Sequence, residues 1–168
     1  GRLVAGARGL AGEIGHLTVV ADGALCGCGG RGHLEAYAGR AGLERRAREA
    51  EASGQPNQLV ALAGAGTIKA RHIARALEEG DETTLRLMAD AVEALALAIG
   101  NVVTLLDIPR VVLGGGVVDK LGQAFVDQIR SSSQFGGFGA ELCELRLAQR
   151  LDDAGVAGAA ILAADHFG

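Results

Sequence analysis

Residues 105–118 read Leu105-Leu106-Asp107-Ile108-Pro109-Arg110-Val111-Val112-Leu113-Gly114-Gly115-Gly116-Val117-Val118, and this stretch decides the fold class. A long apolar helix pattern stops at Asp107 and Pro109, because proline pushes the residue before it out of the helical region. Val111 to Leu113 make an apolar run too short for a helix, and three glycines turn the chain. An amphipathic pattern then begins through Val118, Leu121, Phe125 and Ile129. Helix, strand, glycine turn and helix in succession point to an α/β layer architecture.

Upstream, Asp81 is the expected cap of the longest helix, with Leu85, Met88, Ala89, Val92, Leu95, Ala96, Ile99, Val103 and Leu106 on one stripe. Its second half is apolar nearly all round, which predicts the central buried helix. Before it, Thr67 is the expected cap of a helix that carries Ala70, Ile73, Ala74 and Leu77 at i, i+3, i+4 and i+7. Leu34 to Ala50 reads as one helix, with Glu44 to Glu49 as its solvated face; Gly54, Pro56 and Asn57 break the chain after it. Leu3 to Ala5 and Leu17 to Val20, short apolar runs among glycines, read as strands. Downstream, Ser131 to Gly139 has no period and reads as a mobile loop. Cys143, Leu145 and Leu147 alternate with Glu144 and Arg146 as a half-buried strand, and Ala154 to Ala164 forms a helix of small residues. The prediction is a single domain over residues 1–168, with a short sheet packed among long helices.

A chain of 168 residues that is 49% hydrophobic can bury one core, and with 3% aromatics alanine, leucine and valine must fill it. The net charge of −4, from 16 basic and 20 acidic residues that are scattered rather than clustered, gives no electrostatic footprint for a nucleic-acid backbone. No uninterrupted apolar run reaches roughly eighteen residues, and the start lacks a signal-peptide pattern. A cytoplasmic protein with no membrane partner and no nucleic-acid partner is expected.

The residues that carry chemistry fall between positions 13 and 35. His16, Cys26, Cys28 and His33 put two thiols and two imidazoles on one glycine-rich loop, a donor set that suits tetrahedral zinc. One residue between the cysteines is tighter than the usual zinc spacing, and a flexible loop with incidental Cys and His fits that spacing equally well. The odd cysteine count makes a poor disulfide framework. Gly114 to Gly116 lie where a nucleotide can approach backbone at a helix start, although a plain strand-to-helix turn uses the same residues. Gly64-Ala65-Gly66 lacks the third glycine of a dinucleotide fingerprint. His72 and His166 read as surface residues, and Cys143 as a small buried apolar one.

The stretch Gly9-Leu10-Ala11-Gly12-Glu13-Ile14-Gly15-His16, followed by Cys26-Gly27-Cys28-Gly29-Gly30-Arg31-Gly32-His33-Leu34-Glu35, resembles the signature of the ROK family of sugar kinases and sugar-responsive repressors. Leu105-Leu106-Asp107 with Val111 to Gly116 resembles the family's nucleotide-side motif, and Gly155-Val156-Ala157-Gly158-Ala159-Ala160 its closing helix. The resemblance implies the C-terminal lobe of an actin-like (ribonuclease H-like) sugar kinase, without the N-terminal nucleotide-binding lobe. It implies structural zinc on His16, Cys26, Cys28 and His33, where His33 replaces a usual cysteine. It makes Glu13 and Glu35 acceptors for sugar hydroxyls, with His16 contributing from the metal side, and Gly114, Gly115 and Gly116 the nucleotide seat. Glu35 would sit in a helix first turn, where the dipole favours its charge. Two thiolates with two neutral imidazoles balance the zinc charge, where three thiolates would leave the site anionic, so weaker zinc retention is expected.

In that family the base and the phosphate loops lie in the N-terminal half, and none of those motifs is in these residues. No catalytic residue is therefore assigned, and the chain alone is not expected to phosphorylate anything. The implied function is the sugar- and zinc-binding lobe of an ATP-dependent hexose kinase of the glucokinase type, with ATP and magnesium in the complete protein. The alternative is the effector domain of a sugar-sensing repressor, in which the same residues bind an inducer; the glycine run favours the kinase. A lobe exposing the surface that its other half would cover is expected to form homo-oligomers.

Overall fold

A computed structural model describes residues 3–136, 140–149 and 154–167. Its elements in chain order are α1 (Leu34–Ala38), α2 (Arg40–Ala52), α3 (Gln58–Ala63), α4 (Ala70–Glu78), α5 (Glu82–Leu106), β1 (Arg110–Leu113), α6 (Gly116–Ser131), β2 (Glu144–Leu147) and α7 (Ala154–Phe167).

Helix α5 organises the molecule, and α1, α2, α4 and α6 pack against it. Asp81 starts it as expected, accepting the Thr84 N–H at 2.8 Å and the Thr84 hydroxyl at 2.6 Å. The same carboxylate accepts the Gln58 N–H at 3.1 Å, so the side chain that caps α5 also satisfies the first N–H of α3. Burial pushes the Asp81 carboxyl up, but the hydrogen bonds from Thr84 and Gln58 and the charge of Arg86 outweigh it and hold the group below its ordinary value. Asp107 ends the helix in the left-handed region at φ 49°. By length and composition α5 could cross a membrane. Leu87, Met88, Ala91, Val92, Ile99 and Val103 are instead packed in the core.

The expected stripe on α5 is too wide. Leu85 and Ala89 line an open groove between α4 and α6, and Leu106 runs past the core at 66% exposure. Thr67 is not the cap of α4, which begins at Ala70. Lys69 takes the extended cap conformation, and its N–H donates to His72 Nδ1 at 3.3 Å. His72 is thus half-buried, and burial first, then Arg71 and Lys69, lower its pKa. The helix expected over 34–50 breaks at Gly39, and α3 was not foreseen although Asn57 caps it by accepting the Val60 N–H.

The expected strands at Leu3–Ala5 and Leu17–Val20 are absent. Leu3 and Val4 are exposed without a pairing partner, and Thr18 makes one isolated bridge, to His33. The sheet of the described residues is β1 beside β2, parallel, with Val111 opposite Leu145 and Leu113 opposite Leu147. Leu145 faces the core, while Val111 and Leu113 are only half-buried and Val112 is exposed on the far face. Helix α6 follows the glycine run, starting after Gly115 at φ 106° and kinking at Gly122. In the expected loop, Ser133–Phe135 form a short 3₁₀ turn with Phe135 buried; residues 137–139 lie outside the described residues, as does the side chain of His166. Cys143 is buried, as expected.

A second, smaller cluster of Cys26, Leu34, Ala36, Tyr37, Ala94 and Ala98 joins the cysteine loop to α1 and α5. The loop is thereby seated on the central helix.

Candidate functional site

Residues 16–34 fold back on themselves through backbone pairs. Leu34 N–H donates to Leu17 O at 2.9 Å, Val19 N–H to Gly32 O at 2.8 Å, and Cys26 N–H to Gly30 O at 2.8 Å. The reversal depends on Gly32, at φ +70°, where a Cβ would lie 1.6 Å from the Val20 carbonyl oxygen. Only glycine fits there.

This fold brings the predicted ligands together. The ligand atoms of His16, Cys26, Cys28 and His33 all lie within 4.8 Å of one another. Cys28 Sγ is 3.3 Å from His33 Nδ1, and Cys26 Sγ is 3.9 Å from His16 Nδ1. Donors around a tetrahedral zinc ion sit about 3.3–3.8 Å apart, so two thiols and two imidazoles at these separations fit one after a small closure. Cys26 is buried, His33 half-buried, and His16 and Cys28 exposed. A Cys28 backbone hydrogen bond pulls the Cys26 thiol down, yet burial, the Cys28 side chain and the Glu35 charge together push it up. A cation held by this thiol would take the proton's place.

The carboxylates flank the ligands. Glu35 stands in the first turn of α1, 3.7 Å from Cys26 Sγ. Glu13 precedes a short 3₁₀ turn, Ile14–His16, and its carboxylate lies 3.8 Å from His16 Nε2. With Nδ1 turned to the cysteines, His16 keeps Nε2 for the Glu13 side. Glu13, His16, Cys26 and Glu35 form one chain of neighbours whose two carboxylates are open to solvent.

Gly114, Gly115 and Gly116 are elsewhere, in the wall of a cavity of about 520 Å³. Its walls are apolar, with Leu43, Met88, Leu95 and Phe125 among them, and its charged lining residues are Arg40 and Lys69. Arg40 lies 3.8 Å from Glu44, and among the described residues Lys69 has no ion pair. The sequence reading missed both cations, which come from the starts of α2 and α4 and converge only in the folded chain. The signal available was a basic residue at the start of each helix beside a glycine-bounded turn. An apolar cavity with cations and free backbone suits a ligand with a flat apolar body and an anionic tail.

A helical α/β lobe with a two-thiol, two-imidazole loop beside carboxylates, and a cation-edged cavity at a strand–glycine–helix turn, has the mixed architecture of the actin-like class. A family model described as ROK family matches residues 1–166, and the chain belongs to the ROK family. It is 33% identical over 162 residues to a glucokinase of Halalkalibacterium halodurans, covering 94% of this chain and 49% of that protein. It is 32% identical over 163 residues to an N-acetylmannosamine kinase of Salmonella typhi, covering 97% and 50%. The chain thus spans about half the length of the curated relatives it matches.

Among solved structures, a ROK family glucokinase from Streptomyces griseus in complex with glucose and AMPPNP matches with a TM-score of 0.73 and 33% identity, over 94% of this chain and 52% of that one. A ROK family transcriptional regulator, homolog of the E. coli MLC protein, matches with a TM-score of 0.72 at 24% identity, over 96% and 40%. The second likeness shows the fold alone.

Proposed function

We propose that this chain is the sugar- and metal-binding lobe of a cytoplasmic, ATP-dependent hexose kinase, glucose being the first sugar to test. The observation that carries this is the cavity at Gly114–Gly116, apolar within and edged by Arg40 and Lys69, in a chain that also holds the carboxylate pair. An inducer-binding lobe needs the carboxylates and has no use for a nucleotide seat, so the repressor reading is the weaker one.

Glu13 and Glu35 accept hydrogen bonds from sugar hydroxyls, and His16 offers Nε2 beside them. Zinc would be held by His16, Cys26, Cys28 and His33, and four protein donors leave it no open position. Held there, it would tie the loop that aims His16 and the carboxylates and would supply no reacting group. Leu43, Met88, Leu95 and Phe125 would take the adenosine, while Arg40, Lys69 and the glycine backbone face the phosphates, to which magnesium belongs. No residue of this chain is assigned as the base, so phosphoryl transfer is a property of the complete protein.

The test is Glu35→Gln in a protein that joins this chain to the half its relatives add. Loss of a charge-assisted hydrogen bond should weaken glucose binding about tenfold or more. Unchanged glucose affinity and turnover would remove Glu35 from the site. The metal set carries its own prediction. The chain should hold one zinc and surrender it to mild chelation faster than its His33→Cys variant, read by a colorimetric zinc indicator. Equal retention would refute the charge argument.

A further inference from the structure

Between the metal loop and α5 lies a set of contacts to which the sugar and nucleotide sites assign no role. Tyr37, buried on α1, reaches into the loop, where its hydroxyl accepts the Ala24 N–H at 2.8 Å. Gly23 makes room for it, since a Cβ there would lie 2.2 Å from the Tyr37 hydroxyl. The Arg46 guanidinium sits 4.8 Å from the Tyr37 ring centroid and pairs with Asp90 of α5. The Arg46 side chain is 16% exposed, so its attraction to the ring is little screened by water, whereas Asp90 is 43% exposed and leaves the ion pair partly screened. Its neighbour Arg45 donates to the Leu25 carbonyl, and Arg31 donates to the Gly23 carbonyl at 3.0 Å. The three residues gripped in this way, Gly23, Ala24 and Leu25, lead directly into the ligand Cys26.

We propose that Tyr37, steadied by Arg46 and Asp90, is the positioning residue that sets the approach of Cys26 and with it the geometry of the metal-and-sugar site; this rests on the metal reading above. Tyr37 belongs neither to the ligand set nor to the carboxylate pair. It acts through the Ala24 N–H, and through Asp90 it refers the loop to α5, whose Met88, Ala91 and Leu95 line the cavity at the glycine run.

Tyr37→Phe keeps the ring and removes the hydroxyl. In the zinc-loaded chain it should speed zinc release to a chelator about fivefold, the factor expected for one net hydrogen bond, while the melting temperature moves by less than about 4 °C. The visible d–d bands of the cobalt(II)-substituted chain should shift, which a merely structural role for Tyr37 would not cause. Asp90→Asn, which leaves the tyrosine in place, should speed release about twofold, as expected for a weakened ion pair. Release at the wild-type rate with unaltered cobalt bands in Tyr37→Phe overturns the proposal, whatever Asp90→Asn does. A separate arm reads amide hydrogen exchange on the metal-free chain. Exchange about fivefold faster across residues 23–32 supports the proposal, and a change confined to Ala24 overturns it. If the wild-type chain takes up no zinc, the metal reading fails and the exchange arm still decides the role of Tyr37.

Discussion

Gly32 carries the severest steric demand in the metal loop, with a positive φ and the Val20 carbonyl where a side chain would start. Gly32→Ala must both occupy a left-handed conformation and displace that carbonyl. The conformation alone costs about 1–2 kcal/mol, and the clash adds to it. Thermal unfolding of the variant should show at least that loss, together with a fall in bound zinc; a variant as stable as wild type would mean the reversal is not held at Gly32. At this scale the grouping of His16, Cys26, Cys28 and His33 was legible in the sequence because they lie within one local loop. Arg40 and Lys69 were not legible, since helix–helix packing brings them to the same cavity from the starts of different elements. The role of Gly32 was visible only as one glycine among several.

Among the elements, Asp81 is the joint on which two helices begin. Removing its carboxylate in Asp81→Ala uncaps α5 and leaves the Gln58 N–H of α3 without its acceptor, while Asn57 still caps α3, and should cost about 1–2 kcal/mol at neutral pH. Its pKa is held below the ordinary value in the folded chain, so its contribution is present above pH about 4 and is lost as pH falls through the folded pKa. Denaturant melts at neutral pH and in acid should therefore show the gap between wild type and Asp81→Ala closing in acid, and a gap independent of pH would remove the charged cap from the account. The strong start and stop signals of α5, Asp81 and Asp107, were readable because they act within one turn of the chain. The split at Gly39 was not, although it is local: the residue leaves the helical region at ψ 143°. Gly39 N–H bonds to the Glu35 carbonyl at 3.0 Å, and a Cβ on Gly39 would come within 2.5 Å of that oxygen. The two expected N-terminal strands failed for the opposite reason: an apolar run becomes a strand only if a partner strand lies beside it.

For the molecule as a whole, β1 and β2 form a parallel pair, a kind of sheet that is normally covered on both faces. Here Val112 is 58% exposed, and Leu105, Leu106 and Leu142 are exposed as well. Such apolar surface drives association. Light scattering should show the chain self-associating as its concentration rises, and a monomer at high concentration would count against the homo-oligomer proposal. The α/β class could be read from one helix–strand–glycine–helix stretch, whereas the order and partners of strands are not written in local pattern.

Helix α1 links these scales. Glu35 lies in its first turn and Ala38, its last residue, stands in the wall of the cavity at the glycine run, a rise of about 5 Å along the axis. Over so short a rod there is no compliant segment to absorb strain. A side chain larger than alanine at position 38 would therefore press on the same helical turn that carries Glu35.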